Sequence, residues 1–298
     1  MSFPNPLHET RRLGRWTIHA LQAGGQQLDG GAMFGVVPKP LWERRLAADE
    51  RNRIPMGMRC LLVEHPDGLL LVDTGAGNKE TEKFYGIYGI ENTPEDAGVE
   101  ADGAPTALEA ALRLAGFSPR DVRLVINTHL HFDHAGGNTV RAADGSVVPA
   151  FPSARYVVQR GEHAYAARAN ERTTASYFPH NYEPLLASGQ MELVEGEMEL
   201  VSGVHLLLTP GHTPFHQSVL LESDGERLVF LADLIPTQWH LPLPWIMGYD
   251  VEPLVTLETK RALLERALNE KWTLMFEHDA ALAWCGLAHD GRNYTVAP

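Results

Sequence analysis

His129, His131, Asp133 and His134 stand in the order H-x-H-x-D-H within the segment THLHFDHAGGN. Side chains two apart point the same way along an extended segment, so His129 and His131 can share one ion. Asp133 and His134 then turn towards a second position, and Gly136-Gly137 allows a backbone reversal that bulkier residues would resist. Neutral imidazole suits zinc and similar divalent ions, while a carboxylate suits a harder or bridging position. With 14 histidines in 298 residues, chance yields this pattern in about one such sequence in several hundred. Histidines scattered through a polar surface loop are therefore a poor account of it.

Such groups need rigid elements behind them, and the chain repeats one theme that supplies these. The apolar run VRLVIN leads into THLHFDHAGG, and VHLLLTP leads into GHTPFH with His212. RLVFLADL runs up to Asp233, and WTLMFEHD runs up to His278. An unpaired carboxylate closing an apolar strand is expensive to bury, so Asp233 calls for a metal or a strong hydrogen bond. Polar groups gathered at one end of buried strands describe a site carried on a scaffold. Upstream, a strand is expected at residues 16–21 and a short helix within PKPLWERRLAADER. MRCLLVEH and GLLLVDTG flank Pro66-Asp67-Gly68, a hairpin signal. Residues 78–104 lack periodicity and read as an irregular surface segment. Apolar spacing predicts helices over 107–115, 160–170 and 257–268. Strands mixed with helices point to an α/β layered architecture.

Composition narrows the partners. The formal net charge is -13, from 38 acidic and 25 basic residues, and neither Arg44-Arg45 nor Lys260-Arg261 makes a basic stripe. Nucleic acid is excluded as a substrate on that ground. Cys60 lies in an apolar run, and two isolated cysteines make no disulfide framework. The N-terminal segment has no apolar stretch of signal-peptide length, and no run approaches the ~18 residues of a membrane span. The expectation is a soluble cytoplasmic protein without a membrane partner.

HLHFDHAGGN resembles the signature loop of the metallo-β-lactamase superfamily, and more closely that of the N-acyl-homoserine lactone (quorum-quenching) lactonases. The segments GGAMFGVVPKPLW and LIPTQWHLPLPWIMGYD are similar to a subgroup of such lactonases. The resemblance implies one α/β (α+β) domain over 1–298, an αββα four-layer sandwich with metals at the edge between two sheets. It implies two divalent ions, zinc ahead of iron, manganese and cobalt. His129, His131 and His212 would bind the first, Asp133, His134 and His278 the second, and Asp233 would bridge. Asp73, ending LLLVDTG, and Asp279 would orient ligand histidines by hydrogen bonds. His216 reads as a packed or orienting histidine, and His163, His205 and His289 as ordinary ones. Two ions about 3.5–4 Å apart can share a hydroxide that attacks a carbonyl carbon, with Asp133 passing the proton to the leaving oxygen. The expected substrate is a small-molecule lactone or ester.

One departure bears on substrate. The better-known lactonases carry a Tyr three residues after the bridging Asp, where it hydrogen-bonds the substrate carbonyl; here that residue is Pro236. Tyr88 and His240 are the leading replacements, with Tyr85 nearby. Met33, Phe34, Tyr85, Tyr88, Trp239 and His240 are expected to wall the substrate pocket. A phosphotriesterase or arylesterase would use the same metals. A thioesterase of the glyoxalase II type would need a helical domain after the last ligand, where only 20 residues follow His278. A non-catalytic binding protein on this scaffold would be expected to have lost ligands. The oligomeric state is open, a homodimer among the options.

Overall fold

The computed structural model describes residues 6–297. β1 (His8–Leu13) and β2 (Trp16–Asp29) pair antiparallel. Two short helices, α1 (Gly30–Phe34) and α2 (Lys39–Trp42), lead to β3 (Arg53–His65), which lies against β2 and turns back into β4 (Gly68–Val72). His65 faces Gly68 across Pro66-Asp67, so the hairpin forms where expected. The helix expected within PKPLWERRLAADER stops at Trp42. Asp49 then draws the chain into a turn, its Oδ1 accepting from the Arg51 and Arg53 backbone.

Residues 78–104 are not wholly irregular, for they contain α3 (Glu82–Tyr88). Thr81 caps its start by accepting from Phe84 N, and Gly89 ends it at φ 58. Its Phe84 and Tyr88 rings pack on Phe132, a contact that local periodicity cannot announce. After α4 (Ala107–Leu114), β5 (Val122–Ile126) joins β4 in parallel. The one-turn α5 (Phe132–Ala135) precedes a ribbon of β6 (Thr139–Arg141) and β7 (Val147–Pro149). β8 (Arg155–Gln159), α6 (Arg160–Ala166), α7 (Glu183–Ala187) and β9 (Met191–Val194) complete a seven-stranded sheet, ordered β1-β2-β3-β4-β5-β8-β9.

The second sheet has six strands in sequence order: β10 (Met198–Val201), β11 (Val204–Leu208), β12 (Gln217–Ser223), β13 (Glu226–Phe230), β14 (Thr273–Met275) and β15 (Trp284–Cys285). β13 and β14 run parallel, and such a connection needs a crossover, which α8 (Pro253–Asn269) provides. β16 (Leu287–His289) and β17 (Tyr294–Val296) close the described chain as a hairpin.

The period of two along β3 and β4 decides the layering. Leu61, Val63, Leu70 and Val72 meet Val219, Leu221, Leu228 and Phe230 between the sheets. Cys60, Leu62 and Leu71 face the other way, onto Leu108, Ala111 and Leu112 of α4. Leu263, Leu264 and Ala267 of α8 cover Leu220, Val229 and Leu274. The order is helix, sheet, sheet, helix, the αββα sandwich. No helix among the described residues is long and apolar enough to cross a membrane.

Candidate metal centre

Each candidate ligand leaves its sheet at the same edge through a turn held by backbone bonds. Beyond β5, Asn127 N donates to Val157 O, and Thr74 N donates to His134 O from the end of β4. The reason for Gly136-Gly137 is close approach rather than an unusual φ. A Cβ on Gly137 would lie 2.1 Å from Thr74 O, and one on Gly136 would lie 2.4 Å from Ala76 O. Gly211, at φ 136, passes so close to Thr256 of α8 that a Cβ would lie 2.3 Å from its hydroxyl. Ala232 adopts φ 45, a costly conformation for a residue with a Cβ, and this turn ends β13 before Asp233. β3 templates the last loop: Gly57 N donates to His278 O, and His278 Nδ1 donates to Gly57 O at 2.7 Å.

The turns bring together two groups with the chemistry to hold metal ions. His129, His131, His212 and Asp233 form the first, and Asp133, His134 and His278 the second. Asp233 Oδ2 lies 3.0 Å from His212 Nε2, 3.5 Å from His134 Nε2 and 3.9 Å from His129 Nε2. Its Oδ1 lies 2.9 Å from His278 Nε2, so that among the described residues Asp233 is the carboxylate that reaches both groups. His212 Nε2 and His131 Nδ1 are 3.1 Å apart, and His278 Nε2 and His134 Nε2 are 3.2 Å apart.

The residues present fit divalent ions. Tetrahedral coordination at about 2.0–2.1 Å puts neighbouring donor atoms roughly 3.3 Å apart, within the spread just described. His129 Nε2 and Asp233 Oδ1 are buried without a hydrogen-bond partner, Asp233 Oδ1 being close to His278 but outside hydrogen-bonding geometry. Buried polar atoms are rarely left so. The tautomers agree as well. Asp250 takes the Nδ1 proton of His212 at 2.9 Å, Asp73 that of His134 at 3.1 Å, and Gly57 that of His278. Each leaves Nε2 facing the centre. Burial and the neighbouring imidazoles hold His129 and His131 well below the ordinary histidine range, as neutral bases. Burial would lower His212 and His278 too, but the Asp233 carboxylate outweighs it and lifts them to about 10 and about 9. The protons they hold are those a metal ion displaces.

Behind the ligands stands a layer of fixing groups. Asp73 accepts from Thr128 N and Thr128 Oγ1 as well as from His134. His216 Nε2 accepts from Asp233 N while Nδ1 donates to Thr209 O, so His216 holds the Asp233 backbone from behind. Asp279 does not touch a ligand. It caps the loop after His278, accepting from the backbone of Gln238, Ala281 and Leu282. Four fixing residues carry no such mark in the sequence reading: Asp250, Gln26, Glu277 and Glu162. Glu162 is fully buried and accepts from Leu130 N, Tyr177 Oη and Thr213 Oγ1, tying both histidine loops together. Glu277 lies 3.0 Å from His134 Nδ1, and burial pushes its carboxyl up to about 8 against the pull of His134. Its place beside His278 at the end of a buried strand is a usable signal. Nothing in sequence links Asp250 to His212. Asp250→Ala should weaken the first metal position about 10- to 100-fold, read by competition with a chromogenic chelator. Unchanged affinity would mean that the His212 ring is held by packing alone.

A cavity of about 330 Å³ opens over both groups, lined by Met33 and Tyr88 among the residues expected there. Phe34 is instead stacked between Trp42 and His240 in a separate core. Tyr85 donates to Gly77 O, away from the cavity. Trp239 packs in the same core as Phe34, beneath Arg45. His240 is buried with both nitrogens engaged, Nε2 donating to Met33 O and Nδ1 accepting from Thr237 Oγ1. Burial drives its ring down to about 3, so it has neither charge nor a free donor for a substrate. Tyr249, Arg172 and Gln26 line the cavity without having been expected.

The sequence pattern of the family described as Metallo-beta-lactamase superfamily matches residues 58–278. An N-acyl homoserine lactonase of Bacillus cereus is 32% identical over 237 residues, which is 76% of this chain and 83% of that protein. A probable metal-dependent hydrolase from Staphylococcus aureus superposes with a TM-score of 0.84 at 30% identity, over 96% of this chain and 99% of that one. An N-acyl homoserine lactone hydrolase, solved with the product N-hexanoyl-L-homoserine at its catalytic metal centre, gives a TM-score of 0.65 at 26% identity, over 90% and 94%. Fold and site together are those of a metal-dependent hydrolase. The chain belongs to the metallo-β-lactamase superfamily, whose fold implies divalent metal ions.

Proposed function

We propose that this hydrolase opens lactone rings, N-acyl-homoserine lactones foremost, at a centre of two divalent ions. The observation that carries the reading is Asp233 reaching His212 and His278 with different oxygens, at the floor of a largely apolar cavity. The lactonase relatives support the choice of substrate. A donor set dominated by imidazole favours zinc, with iron, manganese and cobalt behind it. When bound, the ions supply a water acidified towards neutral pH and a Lewis acid for the carbonyl oxygen.

The chain's own residues do the rest. Asp133 is held through Oδ2 by the Gln26 amide at 2.8 Å. It carries the proton from the attacking water to the departing ring oxygen. Tyr88 lines the cavity beside Asp133 and supplies the phenolic hydrogen bond to the carbonyl that Pro236 cannot. Leu28, Ala32, Met33 and Met247 give an acyl chain an apolar wall and keep water from it. No side-chain nucleophile is needed, and both cysteines are buried.

Metal-reconstituted protein assayed on lactones, phosphotriesters, aryl esters and thioesters tests the reading, with lactones expected to be the fastest substrates. Tyr88→Phe should lower kcat on lactones about 100-fold while both ions stay bound. Should phosphotriesters be cleaved faster than any lactone, and Tyr88→Phe change nothing, the lactonase assignment fails and the hydrolase stands.

A further inference from the structure

β14 ends at Met275, and the chain then leaves the sheet through Phe276, Glu277, His278 and Asp279. The carbonyls of all four are held from β3 by two residues. Gly57 N donates to His278 O and Arg59 N to Glu277 O, each at 3.0 Å. Arg59 Nη1 donates to Phe276 O at 2.8 Å and to Asp279 O at 2.9 Å, with Leu282 O at 3.4 Å. The guanidinium therefore bonds the outer two of the four carbonyls, one on each side of His278. Arg59 is 2% exposed, and an arginine is rarely buried so far unless its donors are engaged. Asp279, Glu9 and Glu277 offset its charge. These bonds go to backbone and to no ligand side chain, so any effect on the centre runs through the loop.

We propose that Arg59 is a positioning residue for the second ion: by clamping the loop on both sides of His278, it holds that ring towards Asp133 and His134. The proposal rests on the two-ion reading above. The Nδ1 proton of His278 is already given to Gly57 O, so the ring follows the backbone that Gly57 and Arg59 grip. His129 and His131 follow β5 and His212 follows β11, and the Nη1 bonds of Arg59 reach neither turn. The effect falls on one position for that reason. Two influences of opposite sign meet here. A guanidinium repels a nearby divalent cation, while an ordered ligand raises affinity about 10- to 100-fold. Ordering prevails, because without the fork two buried carbonyls lose their partner and the loop must shift to satisfy them.

Zinc titration of the full chain against a chromogenic chelator reads the two dissociation constants. Anomalous scattering from zinc-loaded crystals reads the occupancy of each position. Arg59→Lys keeps the charge and loses the fork, whereas Arg59→Met, similar in length, loses both. Each should weaken the position at Asp133, His134 and His278 about 10- to 100-fold and leave the one at His129, His131 and His212 within about threefold. Should Arg59→Met fail to fold, Arg59→Lys carries the test alone. A residue needed only for stability would lower Tm and keep the ratio of the two constants, and that result overturns the proposal. Tighter binding of the second ion in Arg59→Met would mean that charge repulsion prevails, which overturns it as well. Two ions in wild type with unchanged constants in both variants remove the proposal alone. Fewer than two ions in wild type remove the two-ion reading and the proposal with it.

Discussion

Replacing Asp233 by alanine should leave at most one divalent ion per chain and lower kcat/KM on the order of a thousandfold. Its two oxygens lie 3.0 Å from His212 Nε2 and 2.9 Å from His278 Nε2, so this one side chain links the two candidate ligand groups. With the carboxylate gone, the groups become independent sites, each short of a ligand and of negative charge. Asp233→Asn preserves shape while removing the charge, and it should fall between alanine and wild type. Elemental analysis gives the stoichiometry, and circular dichroism checks that the variant has folded. Two ions per chain with near-normal turnover in Asp233→Ala would show that this residue only shapes the turn after β13.

Chelation should abolish hydrolysis and lower the unfolding temperature on the order of 10 °C, both restored by adding back the metal. Ions that bind the assembled ligands and not the unfolded chain stabilise the fold by about 4 kcal/mol per site at a thousandfold excess over Kd. For a chain of this size each kcal/mol corresponds to roughly 1.5–2 °C, from the usual entropy of unfolding per residue. The stripped centre also leaves His129 Nε2 and Asp233 Oδ1 buried without partners. Differential scanning calorimetry with and without chelator measures the shift. No change in unfolding temperature, with metal loss verified, would mean that the ligand groups do not hold the ions.

The parts of the site legible in sequence are those where chemistry restricts residue type. Few side chains can hold a divalent ion, so His129, His131, Asp133 and His134 at fixed spacing are informative on their own. The strands before His212, Asp233 and His278 are apolar enough to mark each of these residues as lying at a strand end. The hairpin at Pro66-Asp67-Gly68 is equally local. α3 is not legible in this way, because its stability comes from Phe84 and Tyr88 packing on Phe132, more than forty residues on. The true place of His240 is hidden for a related reason. An irregular segment of suitable reach says nothing about whether Met33 O and Thr237 Oγ1 have already taken both ring nitrogens.

The sequence by itself determined the candidate ligand types, their order along the chain and the alternation that makes two sheets face each other. Those properties depend on single residues or on spacings of two, and they survive in any fold that buries the apolar face. Only the tertiary structure decided which oxygen of Asp233 meets which group, that Asp250 fixes His212 and Gln26 fixes Asp133, and that Tyr88 and Tyr249 line the cavity while Phe34 and His240 do not. Gln26 and Asp133 are 107 positions apart, and the bond between them exists because β2 and the turn after β5 end at the same edge of one sheet. Orientation at a metal centre is set by such long-range hydrogen bonds, and any polar residue of the right reach can make them. Residue type therefore announces a ligand, and only packing announces the group that holds the ligand in place.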